Sequence, residues 1–217
     1  MNKFYALLAT VLLFGCVANG VPSIGVNQND KAIAENTEKM FVGIPVVLSL
    51  DGSTARLNNE WLVTNAHNKP IIDMQNLEAY YHPTCDIALI RESGDNIVDV
   101  GLVYKGESVK HIGYPIGMPI SVNYGKYYGD ITISNFTYND CTYSVSDGVV
   151  ASGMSGGGVY NSQNELVGIN VGVILKFSTT HPDYATLNDE NVAQFLPLAA
   201  VDKWLAEVTG VDFYPDF

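Results

Sequence analysis

The sequence predicts an all-β protein that closes on a single helix. Three observations carry this reading. Short apolar runs of strand length recur along the chain, separated by polar or glycine-containing turns. Twenty glycines and nine prolines are spread along the chain, as many short strands joined by turns require. Helical spacing of apolar residues shows only at the C-terminal end. The 217 residues suffice for one large all-β domain or two small ones. A composition of 47% hydrophobic and 16% charged residues favours a folded body over a disordered one.

The first segment reads as an export signal. Lys3 gives it a positive start, and Phe4 to Phe14 form an apolar stretch of 11 residues. A bilayer-spanning helix needs about 20. Leu13-Phe14-Gly15-Cys16 resembles a bacterial lipobox, which makes 1–16 the signal segment and Cys16 the lipidated first residue. Ala18-Asn19-Gly20 offers the competing reading, an ordinary signal peptide over 1–20 with Val21 first. The lipobox is preferred because the cysteine directly follows a small residue at the end of the apolar stretch. Residues 17–38 are polar and weakly patterned, so they read as a linker or peripheral arm.

Strand patterns begin near Met40. Phe41 to Leu50 reads as a strand and Asp51-Gly52-Ser53 as a hairpin turn. Glu60 to Thr64 is an apolar strand that leads into Asn65-Ala66-His67. Asp86 heads the buried-strand pattern Ile87-Ala88-Leu89-Ile90. Val109 to Ile112 and Gly129 to Phe136 read as further strands. Val159-Tyr160, a turn over Asn161-Ser162-Gln163-Asn164, and Glu165 to Ile169 read as a hairpin. Leu198, Val201, Trp204, Leu205 and Val208 recur at helical spacing, with Pro197 before them and Gly210 after.

Charge and cysteine content narrow the function classes. The net charge is −12, from 23 acidic against 11 basic residues. An anionic surface repels phosphates, so nucleic acid is disfavoured as a partner. Neither His-x-x-x-His nor Cys-x-x-Cys occurs, and no metal or other cofactor is expected. Either cleavage leaves Cys85 and Cys141 in the folded part. In an oxidising compartment they can pair, but sequence spacing does not decide between a disulfide and two buried thiols.

Three residues carry the candidate chemistry. Ser155 lies in Gly153-Met154-Ser155-Gly156-Gly157-Gly158. A nucleophilic serine needs an exposed hydroxyl on a tight turn and backbone N–H groups aimed at the developing oxyanion. The glycines permit both, and the N–H groups of Gly153 and Ser155 are the expected donors. His67 ends the run from Trp61 and is the candidate general base, because imidazole accepts and returns a proton near neutral pH. His82, His111 and His181 follow no comparable strand. Asp86, at the head of a buried strand, is placed to orient the imidazole; Asp73 is the weaker alternative, since no buried strand follows it.

Together these residues resemble the chymotrypsin-type serine protease family. Asn65-Ala66-His67, Asp86-Ile87-Ala88-Leu89 and Gly153-Met154-Ser155-Gly156-Gly157 match its three motifs in its order, with Met154 in place of an aspartate. Ile112-Gly113-Tyr114-Pro115-Ile116-Gly117 and Glu165 to Asn170 resemble segments of the bacterial HtrA/Deg branch. The resemblance covers residues 40–205 and implies a serine-type endopeptidase acting on proteins or peptides. It implies two antiparallel six-stranded β-barrels, over 39–105 and 106–217, with the active site between them. Val149 and Val150 are implied as one wall of the P1 pocket and Asn170, Val171 and Gly172 as the other, which suits apolar P1 residues. Met154 cannot pair with a newly cut N-terminus, so zymogen activation of that kind is not expected, and no PDZ domain is expected after residue 205. The implied location is the bacterial envelope, anchored through a lipidated Cys16 or secreted. The alternative is an inactive, protease-like envelope lipoprotein that serves as a binding module.

Overall fold

A computed structural model describes residues 17–44, 48–132 and 141–215. The expected signal segment and Cys16 lie outside the described residues, as does the end of the strand expected over Gly129 to Phe136. The chain is all-β with short helices, as the sequence predicts. Its first lobe is a five-stranded sheet in the order β1-β2-β3-β5-β4: β1 Thr37–Ile44, β2 Leu48–Arg56, β3 Trp61–Thr64, β4 Ala79–Tyr81, β5 Ala88–Arg91. Its second lobe is a closed barrel in the order β10-β11-β8-β7-β6-β9: β6 Ser108–Gly113, β7 Ser121–Thr132, β8 Thr142–Ser146, β9 Gly158–Tyr160, β10 Leu166–Ile174, β11 Val192–Pro197. The six-stranded barrel expected for the second lobe is present. Among the described residues the first lobe is an open sheet of five strands instead.

One apolar core spans both lobes. It joins Ala55, Leu57, Trp61, Val63 and Leu89 of the first to Ile112, Val122, Tyr160, Leu166 and Leu196 of the second. β3 and β5 are short and buried along nearly their whole length, which explains their continuous apolar reading. Cys85 and Cys141 form a disulfide between the two lobes, with Cα atoms 5.3 Å apart. Closing a loop of this length (sequence separation 56) contributes about 4 kcal/mol in the chain-entropy picture.

Two expectations need correction or completion. Asp51-Gly52-Ser53 is not a turn. It lies inside β2, paired with Phe41, Met40 and Lys39 of β1. The Asp51 carboxylate is satisfied within the sheet, by Lys39 at 3.3 Å and the Ser49 hydroxyl at 2.5 Å. Of residues 17–38, expected as a linker or arm, 17–36 form an arm with a short helix, α1 Lys31–Glu35, and Thr37 and Glu38 already belong to β1. Asp30, fully buried, anchors the arm to the barrel through Lys110 at 2.9 Å and the Tyr124 hydroxyl. Two helices follow, α2 Lys69–Met74 and α3 Asp202–Thr209. α3 is the expected C-terminal helix. Gly210 ends it in the left-handed region (φ +72°), with its N–H bonded to the Ala206 carbonyl.

Candidate active site

His67 and Asp86 reach each other because their strands are neighbours. Thr64, the last residue of β3, pairs with Ala88, the first of β5. His67 sits three residues beyond one strand end and Asp86 two residues before the other. Asp86 Oδ2 lies 2.6 Å from His67 Nδ1, and Asp86 Oδ1 accepts the His67 backbone N–H at 2.9 Å. The Asp86 side chain is 5% exposed and that of His67 39%. The carboxylate is therefore shielded while the imidazole keeps a face toward solvent, as a base that must meet a substrate requires. Nδ1–H donates to the carboxylate, which leaves Nε2 as the free acceptor. Asn65 steadies the aspartate by donating from Nδ2 to its carbonyl at 2.9 Å.

Ser155 rides a loop bent by two left-handed glycines, Gly153 (φ +93°) and Gly156 (φ +86°). A Cβ on Gly156 would lie 2.2 Å from both the Ser53 carbonyl and Thr64 Oγ1, so side chains are excluded there by contact as well as by φ. The loop leans on the first lobe. Ser53 N–H donates to the Ser155 carbonyl at 2.8 Å, and Ser53 Oγ donates to the Gly153 carbonyl at 2.8 Å. Asn68, next to His67, also donates to the Ser155 carbonyl, at 3.1 Å. These bonds seat the Ser155 loop against the turn that carries His67. On the barrel side the Ser152 carbonyl accepts the Ile116 N–H at 2.9 Å. Among the described residues the N–H groups of Gly153 and Ser155, the expected oxyanion donors, meet no backbone or side-chain acceptor.

The Ser155 hydroxyl donates to the Val171 carbonyl at 3.2 Å, not to His67. That carbonyl is available because β10 bulges between Asn170 and Gly172, where pairing with β11 skips Val171. β9 ends its pairing at Ile169. Residues 171–174 therefore present a half-buried strand edge unpaired on that side among the described residues. A Cβ on Gly172 would meet nothing within 4 Å, so the space beside it is open.

The other candidate residues fall nearby. Val150 is buried with Met154 and Ala193 in an apolar cluster beneath the loop, flanked by Ala151 and Val173. Met154 is fully buried there, in the place the family pattern gives to an aspartate. Val149 packs against Gly20 of the arm and faces a cavity shared with Ile24, Val26 and Val122. Asn170 is fully buried and holds the loop, its carbonyl accepting from Gly156 and its N–H donating to Gly157, both at 2.8 Å. Sequence reasoning missed Ser53, Asn68 and the bulge at Val171. No local pattern marks them, because each acts across the chain.

No protein-family model matches the chain, and no curated protein matches it. Solved structures do. The Rv3671c protease from M. tuberculosis in its active form superposes with a TM-score of 0.59 at 19% identity, covering 87% of this chain and 91% of that one. The MamO protease domain from Magnetospirillum magneticum gives 0.58 at 18%, covering 81% and 98%. The HtrA-type protease AlgW with a tripeptide gives 0.60 at 17%, covering 83% and 63%. The chain thus has the chymotrypsin-like fold of HtrA-type protease domains.

Proposed function

We propose that the chain is an exported serine endopeptidase with the triad His67, Asp86 and Ser155. The observation that carries this is the bonded His67–Asp86 pair, set against a left-handed glycine loop that presents Ser155 with two unengaged N–H groups. In this mechanism Ser155 Oγ attacks the scissile carbonyl while His67 Nε2 takes its proton. Asp86 holds the ring in the tautomer this needs and stabilises the imidazolium. The N–H groups of Gly153 and Ser155 receive the oxyanion. His67 then protonates the leaving amine, and water hydrolyses the acyl-enzyme by the same route. Before attack, the hydroxyl must leave the Val171 carbonyl. An extended peptide adding to the open edge at 171–174 competes for that carbonyl and frees the hydroxyl. The AlgW structures hold peptides, which supports a peptide as the ligand class. The pocket residues expected from the sequence, Val149, Val150, Val171 and Gly172, carry no charged side chain, so an apolar P1 side chain fits better than lysine or arginine.

A fluorophosphonate probe should label the wild-type protein at Ser155, and Ser155→Ala should lose both labelling and peptide cleavage while keeping its fold. Cleavage of a peptide library should favour apolar P1 residues. The Ser155–Val171 hydrogen bond also suits a second reading, an inactive binding module whose serine is parked. A wild-type protein that binds peptides but takes no label would establish that reading over the first. Export is part of the proposal, with Cys16 as lipid anchor. Cys16→Ser should then move the protein from the membrane to the soluble fraction, and unchanged fractionation would favour the ordinary signal peptide.

A further inference from the structure

The arm pairs through a single β-bridge with the segment that leads into the Ser155 loop. Ala18 bridges Ala151 in antiparallel fashion. On one side of that bridge the Ser152 N–H donates to the Val17 carbonyl at 2.9 Å, and the Val17 N–H donates to Ser152 Oγ at 3.0 Å. On the other side the Asn19 N–H donates to the Val150 carbonyl at 3.3 Å. The Asn19 side chain closes the pairing at both ends of its amide. Its Oδ1 accepts the Val150 N–H at 2.7 Å, and its Nδ2 donates to the Gly148 carbonyl at 2.7 Å and to the Asn191 carbonyl at 3.3 Å. Gly20 then packs on Val149, where a Cβ would fall 2.8 Å from that side chain.

These contacts satisfy the backbone of 148–152 along one edge. Without the arm, the N–H groups of Val150 and Ser152 and the carbonyls of Gly148 and Val150 lose these partners. Backbone groups left unpaired are satisfied by rearrangement or by water, at a cost in order. The segment ends at Ser152, one residue before Gly153, whose N–H must point at the oxyanion. It contains Val149 and Val150, on the proposed pocket wall. We propose that Asn19 is a positioning residue: with the segment Val17–Asn19 it holds 148–152 in the form that builds the pocket wall and aims the Gly153 N–H. The inference rests on the protease reading above. It also ties processing to activity. Cleavage before Cys16 leaves the clamp in place, whereas cleavage before Val21 removes it.

The test uses the full chain and measures kcat per active site, counted by fluorophosphonate burst labelling, on an apolar-P1 peptide. Asn19→Ala should lower kcat per active site about tenfold or more, the scale of one lost hydrogen bond in the reacting geometry. Labelling should slow in parallel, and the thermal midpoint should hardly move. Val17→Pro, which removes the N–H to Ser152 Oγ and fixes φ at that position, should act in the same direction and less. A purely structural arm would lower the midpoint or the number of active sites and leave kcat per active site unchanged. That outcome in both variants, with wild-type labelling intact, overturns this inference alone. A wild-type protein that takes no label overturns the protease reading and this inference together.

Discussion

His67 and Asp86 hang from adjacent strands of one sheet, and the pairing of Thr64 with Ala88 brings them together. Ser155 hangs from a barrel loop that depends on partners far away in sequence: Ser53 and Asn68 from the first lobe, Ile116 from the barrel, and Val17 and Asn19 from the arm. His67 and Asp86 are thus brought together by local sheet geometry, with a 2.6 Å contact in place. Ser155 is supported by long-range contacts, and its hydroxyl rests on Val171. The His67–Asp86 pair sits on a 3-10 turn at Ala66–Asn68 and a bend at Asp86, at the ends of two paired strands. Ser155 lies where the backbone bends through two left-handed glycines.

The sharpest way to break the His67–Asp86 half is Asp86→Asn. The isosteric amide keeps the size of the side chain and loses the carboxylate that selects Nδ1–H on His67. kcat should fall by about 10⁴-fold, the scale seen when a buried triad aspartate loses its charge. The thermal midpoint should change little by comparison, because the ring still has a hydrogen-bonding neighbour. A fall below tenfold in steady-state kinetics would mean that Asp86 only packs against His67.

The same contrast explains what could be read in advance. β3 and β5 are short, continuously apolar and buried, so each shows itself within a handful of residues, and so do the polar residues at their ends. The glycines around Ser155 are legible because left-handed turns admit few other residues. The supports of the loop leave no such trace. Ser53 looked like part of a turn because Asp51-Gly52-Ser53 has turn composition. β2 nevertheless runs through it, and the glycine is explained by packing, since a Cβ on Gly52 would lie 2.9 to 3.0 Å from the Asn68 side chain. The disulfide stayed open in the sequence because Cys85 and Cys141 lie on different lobes, and only the docking of the lobes sets their separation. The arm read as a linker because its bonds to the barrel run through scattered polar side chains and backbone groups, among them Asn19, Ser23 and Asp30, which follow no periodic pattern.

A smaller effect should sharpen the other half of the comparison. His111 is fully buried in the barrel, and its two nitrogens join the segments on either side of the nucleophile loop. Asn170 Nδ2 donates to the Ile112 carbonyl at 2.8 Å, so its Oδ1 faces His111 Nδ1 at 2.7 Å as an acceptor. Nδ1 therefore carries the proton, and Nε2 accepts from Ser146 Oγ at 2.6 Å. Ser146 Oγ in turn accepts the Gly148 N–H at 3.3 Å. Each group in this chain has its role filled only while the imidazole is neutral. Burial pushes the His111 pKa down from the ordinary 6.5 to about 4, against the opposing influence of the Asn170 hydrogen bond and the Asp147 charge. The folded state thus holds fewer protons than the unfolded state between these values. The stabilisation from a neutral His111 is fully present above pH 6.5 and is lost as pH falls toward 4, by roughly 3 kcal/mol at the lower end. His111→Gln cannot take up that proton. Urea unfolding of both proteins from pH 7 to pH 4 should show wild type losing stability relative to the variant across this window. Parallel curves would mean that the barrel tolerates the charge and that the chain from Gly148 to Asn170 is looser than its hydrogen bonds indicate.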